Sequence, residues 1–275
     1  MLKDIVVNLG GPAGQNFAAD FALSIAQTFN AHLAGIAFVY DAVIPDAALG
    51  GVPVQLIEEQ REEYTRAARS AVERFEENAR SVGASVSSRT VEASVGGAAT
   101  AFAGIARRFD LSVVGQAQRE QGAAEDLMIE AALFETGRPM MVVPYIQRNK
   151  LALERVLVCW DGSRTAARAI GDAIPFLKRA KAVEVVMVEE PRKEEDVSGT
   201  HMAQHLIRHG IAATLKRLVQ GDIGIDSVVL SYAADVGADL IVMGGYGHSR
   251  FREFILGGMT RGILSSMTVP VLMSH

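Results

Sequence analysis

Residues 243–260, MGGYGHSRFREFILGGMT, combine five glycines, which could bring backbone close to a ligand, with nearby cations. Gly244 ends an apolar run, Gly247 follows it, and Gly257 and Gly258 stand just ahead of a helical pattern. Glycine at such points lets backbone approach a ligand closely and reach positive φ at little cost. The amides of Gly258, Met259 and Thr260, at a helix start, would face an anion along the favourable end of the helix dipole. His248, Arg250 and Arg252 are auxiliary cations in the same stretch. Taken singly, each glycine pair also suits a tight turn, and only the spacing points to phosphate.

Other reactive residue types carry less. His201, His205 and His209 recur every four residues in THMAQHLIRHG and would form one stripe on a helix, a spacing from which two imidazoles can grip zinc. Ala203, Leu206 and Ile207 mark the buried face of that helix, and no cysteine or carboxylate ligand clusters with the stripe. It therefore reads as a solvated helix edge, with no metal assigned. The charged run PRKEED reads as a solvated loop leading into the same helix. Cys159 lacks a paired base and reads as a small buried hydrophobe. There is no P-loop ending in Lys then Ser or Thr, no Ser-Gly-Gly pyrophosphatase loop and no assembled nucleophilic triad, so no catalytic residue is assigned.

The elements that position these residues occur twice. Ile5 to Leu9 is a strand, followed by turn glycines Gly10, Gly11 and Gly14 and the helix FAADFALSIAQTF. The strand LAGIAFVY and an amphipathic helix from about Ile57 to Val82 follow, with Tyr64, Ala68, Ala71, Phe75, Ala79 and Val82 on its apolar stripe. SVSSRTVEA alternates as a strand, Gly96 and Gly97 lead into the helix TAFAGIARRF, and LSVVG, EDLMIEAALFETG and PMMVVP complete the series. After the linker QRNKLALE the order returns, from RVLVCWD to VPVLMS. RRFDLSVVG stands where DVGADLIVMGG stands, and TGRPMMVVP where SSMTVPVLM stands. The expectation is an α/β chain of two tandem, doubly wound, mostly parallel five-stranded sheet domains, residues 1–147 and 151–275, with ligands at the carboxyl ends of the strands.

Composition narrows the partners. The 275 residues are 49% hydrophobic and 21% charged, with a net charge of −5 and a pI near 5.7. That balance disfavours nucleic acid and anionic membrane surfaces. No apolar stretch reaches the roughly 20 residues of a membrane helix. The start, MLKDIVVNLGG, reads as a strand and not a secretion signal, and a single cysteine fits a reducing compartment. A cytoplasmic protein is expected.

The pattern Gly, two residues, Gly, nine residues, Gly, met by Gly244, Gly247 and Gly257, resembles the nucleotide loop of the universal stress protein family. The family's next residue is usually Ser or Thr, and here it is Gly258, with Thr260 two places on. VLVCWDGS looks like the family's first strand ending in Asp-Gly-Ser, which would set Asp161 beside adenosine; Asp161 equally suits a cap of the helix in DGSRTAARA. By the same match Val188 lies against adenine and Met243 precedes the loop. The resemblance implies an adenine-nucleotide α-hydrolase-like fold. It further implies a stress-response protein whose second domain binds an adenine nucleotide, ATP with or without magnesium, with at most slow ATPase activity. Pairing of PMMVVP with TVPVLMS would join the halves as a pseudo-dimer, and a homodimer is a further expectation. In the first half Gly10 stands where Asp161 does, Gly115 is kept, Gln118 replaces the second loop glycine, and Glu125 and Asp126 would repel phosphate. That half is expected to be ligand-free, its LGGPAGQN glycines serving as turn-formers. The alternative for the whole chain is a nucleotide-free interaction scaffold of the same fold.

Overall fold

The computed structural model describes residues 1–10, 16–41, 54–117, 123–189, 198–245 and 258–275. They form two compact units, residues 2–138 and 139–275. The first holds β1 (Asp4–Asn8), α1 (Phe17–Phe29), β2 (His32–Tyr40), α2 (Val54–Ser81), β3 (Val86–Ala93), α3 (Val95–Ala106), β4 (Leu111–Gly115) and α4 (Ala123–Phe134). Its strands lie in the order β3-β2-β1-β4 with parallel pairing at β3-β2, β2-β1 and β1-β4.

The second unit holds β5 (Met140–Val143), β6 (Arg155–Cys159), α5 (Arg164–Leu177), β7 (Ala182–Glu189), α6 (Ser198–Arg208), β8 (Ala213–Val219), α7 (Ile225–Asp235), β9 (Leu240–Gly244), α8 (Gly258–Ser266) and β10 (Val271–Ser274). Its order is β5-β10-β9-β6-β7-β8, parallel except where β5 runs antiparallel to β10 with Val142 opposite Val271 and Met140 opposite Met273. The expected pairing of PMMVVP with TVPVLMS is therefore present. The chain winds from β6 outward to β7 and β8 on one side and reaches β9 and β10 on the other, so the direction of winding reverses between β6 and β9.

Burial explains the sequence pattern. The inner strands β1, β4, β6 and β9 are covered on both faces and read as mainly apolar runs, with buried Ser112 the exception in β4. Outer β3 and β8 are covered on one face, which gives SVSSRTVEA its alternation.

The duplication extends to single atoms. Asp110, just before β4, accepts through Oδ2 from the amides of Lys3 (2.8 Å) and Asp4 (3.1 Å). Asp239, just before β9, does the same for Glu154 (2.7 Å) and Arg155 (3.4 Å). In each unit one carboxylate pins the start of the first strand to the fourth. Both aspartates sit in the aligned segments RRFDLSVVG and DVGADLIVMGG, so the signal was available in the sequence.

Several expected boundaries move. α3 begins at Val95, so Gly96 and Gly97 lie inside its first turn, because Ser94 caps it by accepting from the Gly97 amide. α2 starts at Val54, ahead of Ile57, and buries Ala68, Phe75 and Ala79 while Val82 lies beyond its end, exposed. On α6, Ala203 and Leu206 are buried but Ile207 is 55% exposed, and buried Ile211 takes its place in the core after the helix ends. Among the described residues no helix is long and apolar enough to cross a membrane.

Candidate functional site

The reversal between β6 and β9 brings the end of β9 against the turn and helix that follow β6. β6 ends at Cys159, and the pairing continues one residue further through the Trp160 amide, which donates to the Val186 carbonyl (2.9 Å). Asp161 follows, exposed, and its Oδ1 accepts from the Ser163 amide (2.9 Å) across Gly162, whose φ of 77° is the left-handed conformation that glycine tolerates. The cap of α5 is Ser163, which accepts from the Ala166 amide (3.1 Å). Asp161 therefore shapes the turn before the helix and is not its cap.

β9 ends beside this turn. A Cβ built on Gly244 would lie 2.5 Å from the Ala166 nitrogen and 2.6 Å from both the Thr165 carbonyl carbon and its Oγ1. Gly244 thus lets the end of β9 press against the first turn of α5. The next residue is held at both backbone groups: Gly245 donates to the Ser274 carbonyl (2.9 Å), and His275 Nδ1 lies 3.0 Å from the Gly245 oxygen. Met243, one residue before Gly244, is buried in the sheet, and Val188 is half-buried near the end of β7, the strand beside β6.

Gly247 and Gly257, with His248, Arg250 and Arg252, lie outside the described residues. Gly258 is the first residue of α8, exposed, and among the described residues nothing lies within 4 Å of a Cβ placed on it. Met259 is half-buried and Thr260 is buried on the inner side of α8. The first-turn amides of a helix have no intrahelical acceptor, so α8 starts with donors suited to an anion.

Cys159 is buried, and its thiol is pushed up to about 12 by burial first and by the Asp161 carboxylate second. A thiol in that state is a packing group. Alkylation with iodoacetamide at pH 8 is expected to be at least ~100-fold slower in the native protein than in denaturant, because about three pKa units separate it from an ordinary thiol. Equal rates, followed by mass spectrometry, would show an accessible thiolate instead.

His201, His205 and His209 are all exposed, with the last two rings edge-to-face at 4.6 Å between centroids, and among the described residues no group of three His, Cys, Asp or Glu could hold a metal ion. The run PRKEED lies outside the described residues.

The first unit departs at each equivalent place. Gly10, in the position of Asp161, donates its amide to Asn8 Oδ1 (3.2 Å), and a Cβ on Gly115 would meet nothing closer than Ala18 Cβ at 4.0 Å. Gln118 lies outside the described residues. Glu125 is the third residue of α4, as Thr260 is the third of α8.

Residues 152–275 match the family model described as the universal stress protein family. The universal stress protein Slr1230 of Synechocystis sp. strain PCC 6803 is 23% identical over 169 residues, 60% of this chain, and the chain spans 57% of that relative's length. Among solved structures, a universal stress protein from Archaeoglobus fulgidus DSM 4304 superposes with a TM-score of 0.72 at 14% identity, covering 97% of this chain and 94% of that one. A functionally unknown protein from Pseudomonas aeruginosa PAO1 gives a TM-score of 0.59 at 15% identity, covering 98% and 92%. At these identities the likeness of the two structures is one of fold, and it extends over nearly the whole chain.

Proposed function

Residues 152–275 belong to the universal stress protein family, and from that premise we propose that the second unit binds an adenine nucleotide, ATP with or without magnesium, as part of a stress-response function. The observation that carries this reading is the close approach of Gly244 to the first turn of α5. It supports the reading because Gly244, at the end of β9, lies against the helix that follows the Asp161 turn, where the strand order reverses and α/β sheets hold ligands. In this reading Val188 and Met243 border the base, Asp161 meets the adenosine, and the amides of Gly258, Met259 and Thr260 receive phosphate together with the loop glycines Gly247 and Gly257. No side chain is assigned a catalytic step, so any hydrolysis would be slow. The first unit, with Gly10 and Glu125 at the corresponding places, is proposed not to take phosphate.

Isothermal titration of the whole chain with ATP tests the proposal. Saturable binding is expected, weakened about fivefold by Asp161→Ala, the loss of one polar contact worth about 1 kcal/mol. Absence of heat at millimolar ATP, with Asp161→Ala and Gly257→Val indistinguishable from wild type, would sink it. The competing reading, a nucleotide-free scaffold, is favoured by one observation: no hydroxyl stands at Gly258, and that of Thr260 lies on the buried side of α8. Adenine nucleotide co-purifying with the protein from its host would exclude that reading. A cytoplasmic location and a homodimer remain part of the proposal and are read by fractionation and by light scattering.

A further inference from the structure

Gly245 is the first residue after β9, and glycine has the backbone that is freest to turn. In the second unit that freedom is removed from both sides. The Gly245 amide donates to the Ser274 carbonyl (2.9 Å), which holds the peptide plane it shares with Gly244. Its own carbonyl lies 3.0 Å from His275 Nδ1, which holds the peptide plane on the other side. A carbonyl oxygen can only accept, so His275 Nδ1 carries the proton and donates it. With both flanking planes held, neither φ nor ψ of Gly245 is free to turn.

The backbone that carries this donor is itself anchored. Ser274, beside His275, pairs with Gly244 across β10 and β9 and is buried. Its Oγ donates to Asp172 Oδ2 on α5 (2.8 Å), and Arg168 Nε, one turn earlier on that helix, donates to the same oxygen (3.4 Å). The first turn of α5 is what Gly244 presses against. The ends of β9 and β10 are therefore tied to each other and to α5. His275 itself is exposed, so burial of its ring does not explain its seat.

The duplication supplies an internal comparison. β5 and β10 are four-residue strands preceded by proline, Pro139 and Pro270, so Val143 and Pro144 stand where Ser274 and His275 do. Neither of those side chains can donate a hydrogen bond. A contact needed only for the fold would be expected in both halves, as the aspartates Asp110 and Asp239 are. The His275 clamp belongs instead to the half that carries the glycine spacing.

We propose that His275 is a positioning residue for the nucleotide site of the second unit, its imidazole fixing the Gly245 backbone before the ligand arrives. Order already present in the free protein need not be created on binding. The inference rests on the reading of this unit as an adenine-nucleotide site.

Isothermal titration of the full chain with ATP, as wild type, His275→Ala and His275→Asn, tests it. Asparagine sets an amide N–H close to where the imidazole Nδ1 stands. Alanine is expected to weaken ATP binding about fivefold, the effect of one lost hydrogen bond, while asparagine stays within about twofold of wild type. All three should melt alike, because the side chain is exposed. The imidazole 15N spectrum gives a reading that does not involve nucleotide, and the neutral ring of His275 should show the Nδ1–H tautomer. Wild-type affinity in the alanine variant, or equal losses in both variants, would overturn the proposal and leave nucleotide binding standing. So would an Nε2–H tautomer, or a lowered melting midpoint in the alanine variant, which would mark the contact as structural. Absence of ATP binding by the wild type would instead overturn the nucleotide reading, and this proposal with it.

Discussion

Replacing Gly244 by alanine is expected to lower the thermal midpoint of the second unit by roughly 5–10 °C, while Gly115→Ala, the same change at the equivalent place in the first unit, leaves melting within about 1 °C of wild type. The two glycines end corresponding strands, β9 and β4, and the last helix of each unit follows them in the chain. Neither has a positive φ, so conformational freedom does not separate them. What separates them is the neighbour. A Cβ on Gly244 would meet the Ala166 nitrogen at 2.5 Å and the Thr165 carbonyl carbon at 2.6 Å, which are backbone atoms of a capped first turn that a rotamer change cannot move. A Cβ on Gly115 would rest at 4.0 Å from Ala18 Cβ, an ordinary contact. Relieving the first clash means shifting α5 off β9, an overpacking defect that costs about 2–3 kcal/mol. Differential scanning calorimetry of the two variants makes the comparison. Equal, small shifts would mean that β9 and α5 are not in the close contact on which the site depends.

The same pair of glycines shows what sequence could and could not convey. The β-α order was legible because inner parallel strands are mainly apolar on both faces and outer ones alternate, so LSVVG and SVSSRTVEA each carry their place in the sheet. Helix starts were less legible where a polar residue decides them: Ser94 draws α3 back over Gly96 and Gly97, and Ser163 takes the cap that Asp161 could have held. The spacing of Gly244, Gly247 and Gly257 is the basis of the proposed site, but it gave no reason for the first glycine, which lies in a helix about 80 residues earlier in the chain. Ile207 misled because helical periodicity assigns a face without knowing how far the covering core extends.

Gly258→Ser is expected to tighten ATP binding about tenfold. At the start of α8 the proposed phosphate site offers backbone amides alone, since Gly258 has no side chain and the Thr260 hydroxyl sits on the buried side of the helix. A serine there adds one donor where the family resemblance places a hydroxyl, and a hydrogen bond to a charged group contributes about 1.5–3 kcal/mol, of which ordering the side chain returns a part. Among the described residues nothing lies within 4 Å of the new Cβ, and the backbone φ is not positive. Gly258→Ala is the control: it brings the same Cβ and the same loss of unfolded-state freedom without a donor, so it should melt slightly higher than wild type and bind ATP no better. Tightening in the serine variant alone would locate the phosphate at the α8 N-terminus. If serine and alanine both leave affinity unchanged while wild type still binds, the phosphate is held elsewhere on the loop, and the α8 amides satisfy themselves with water.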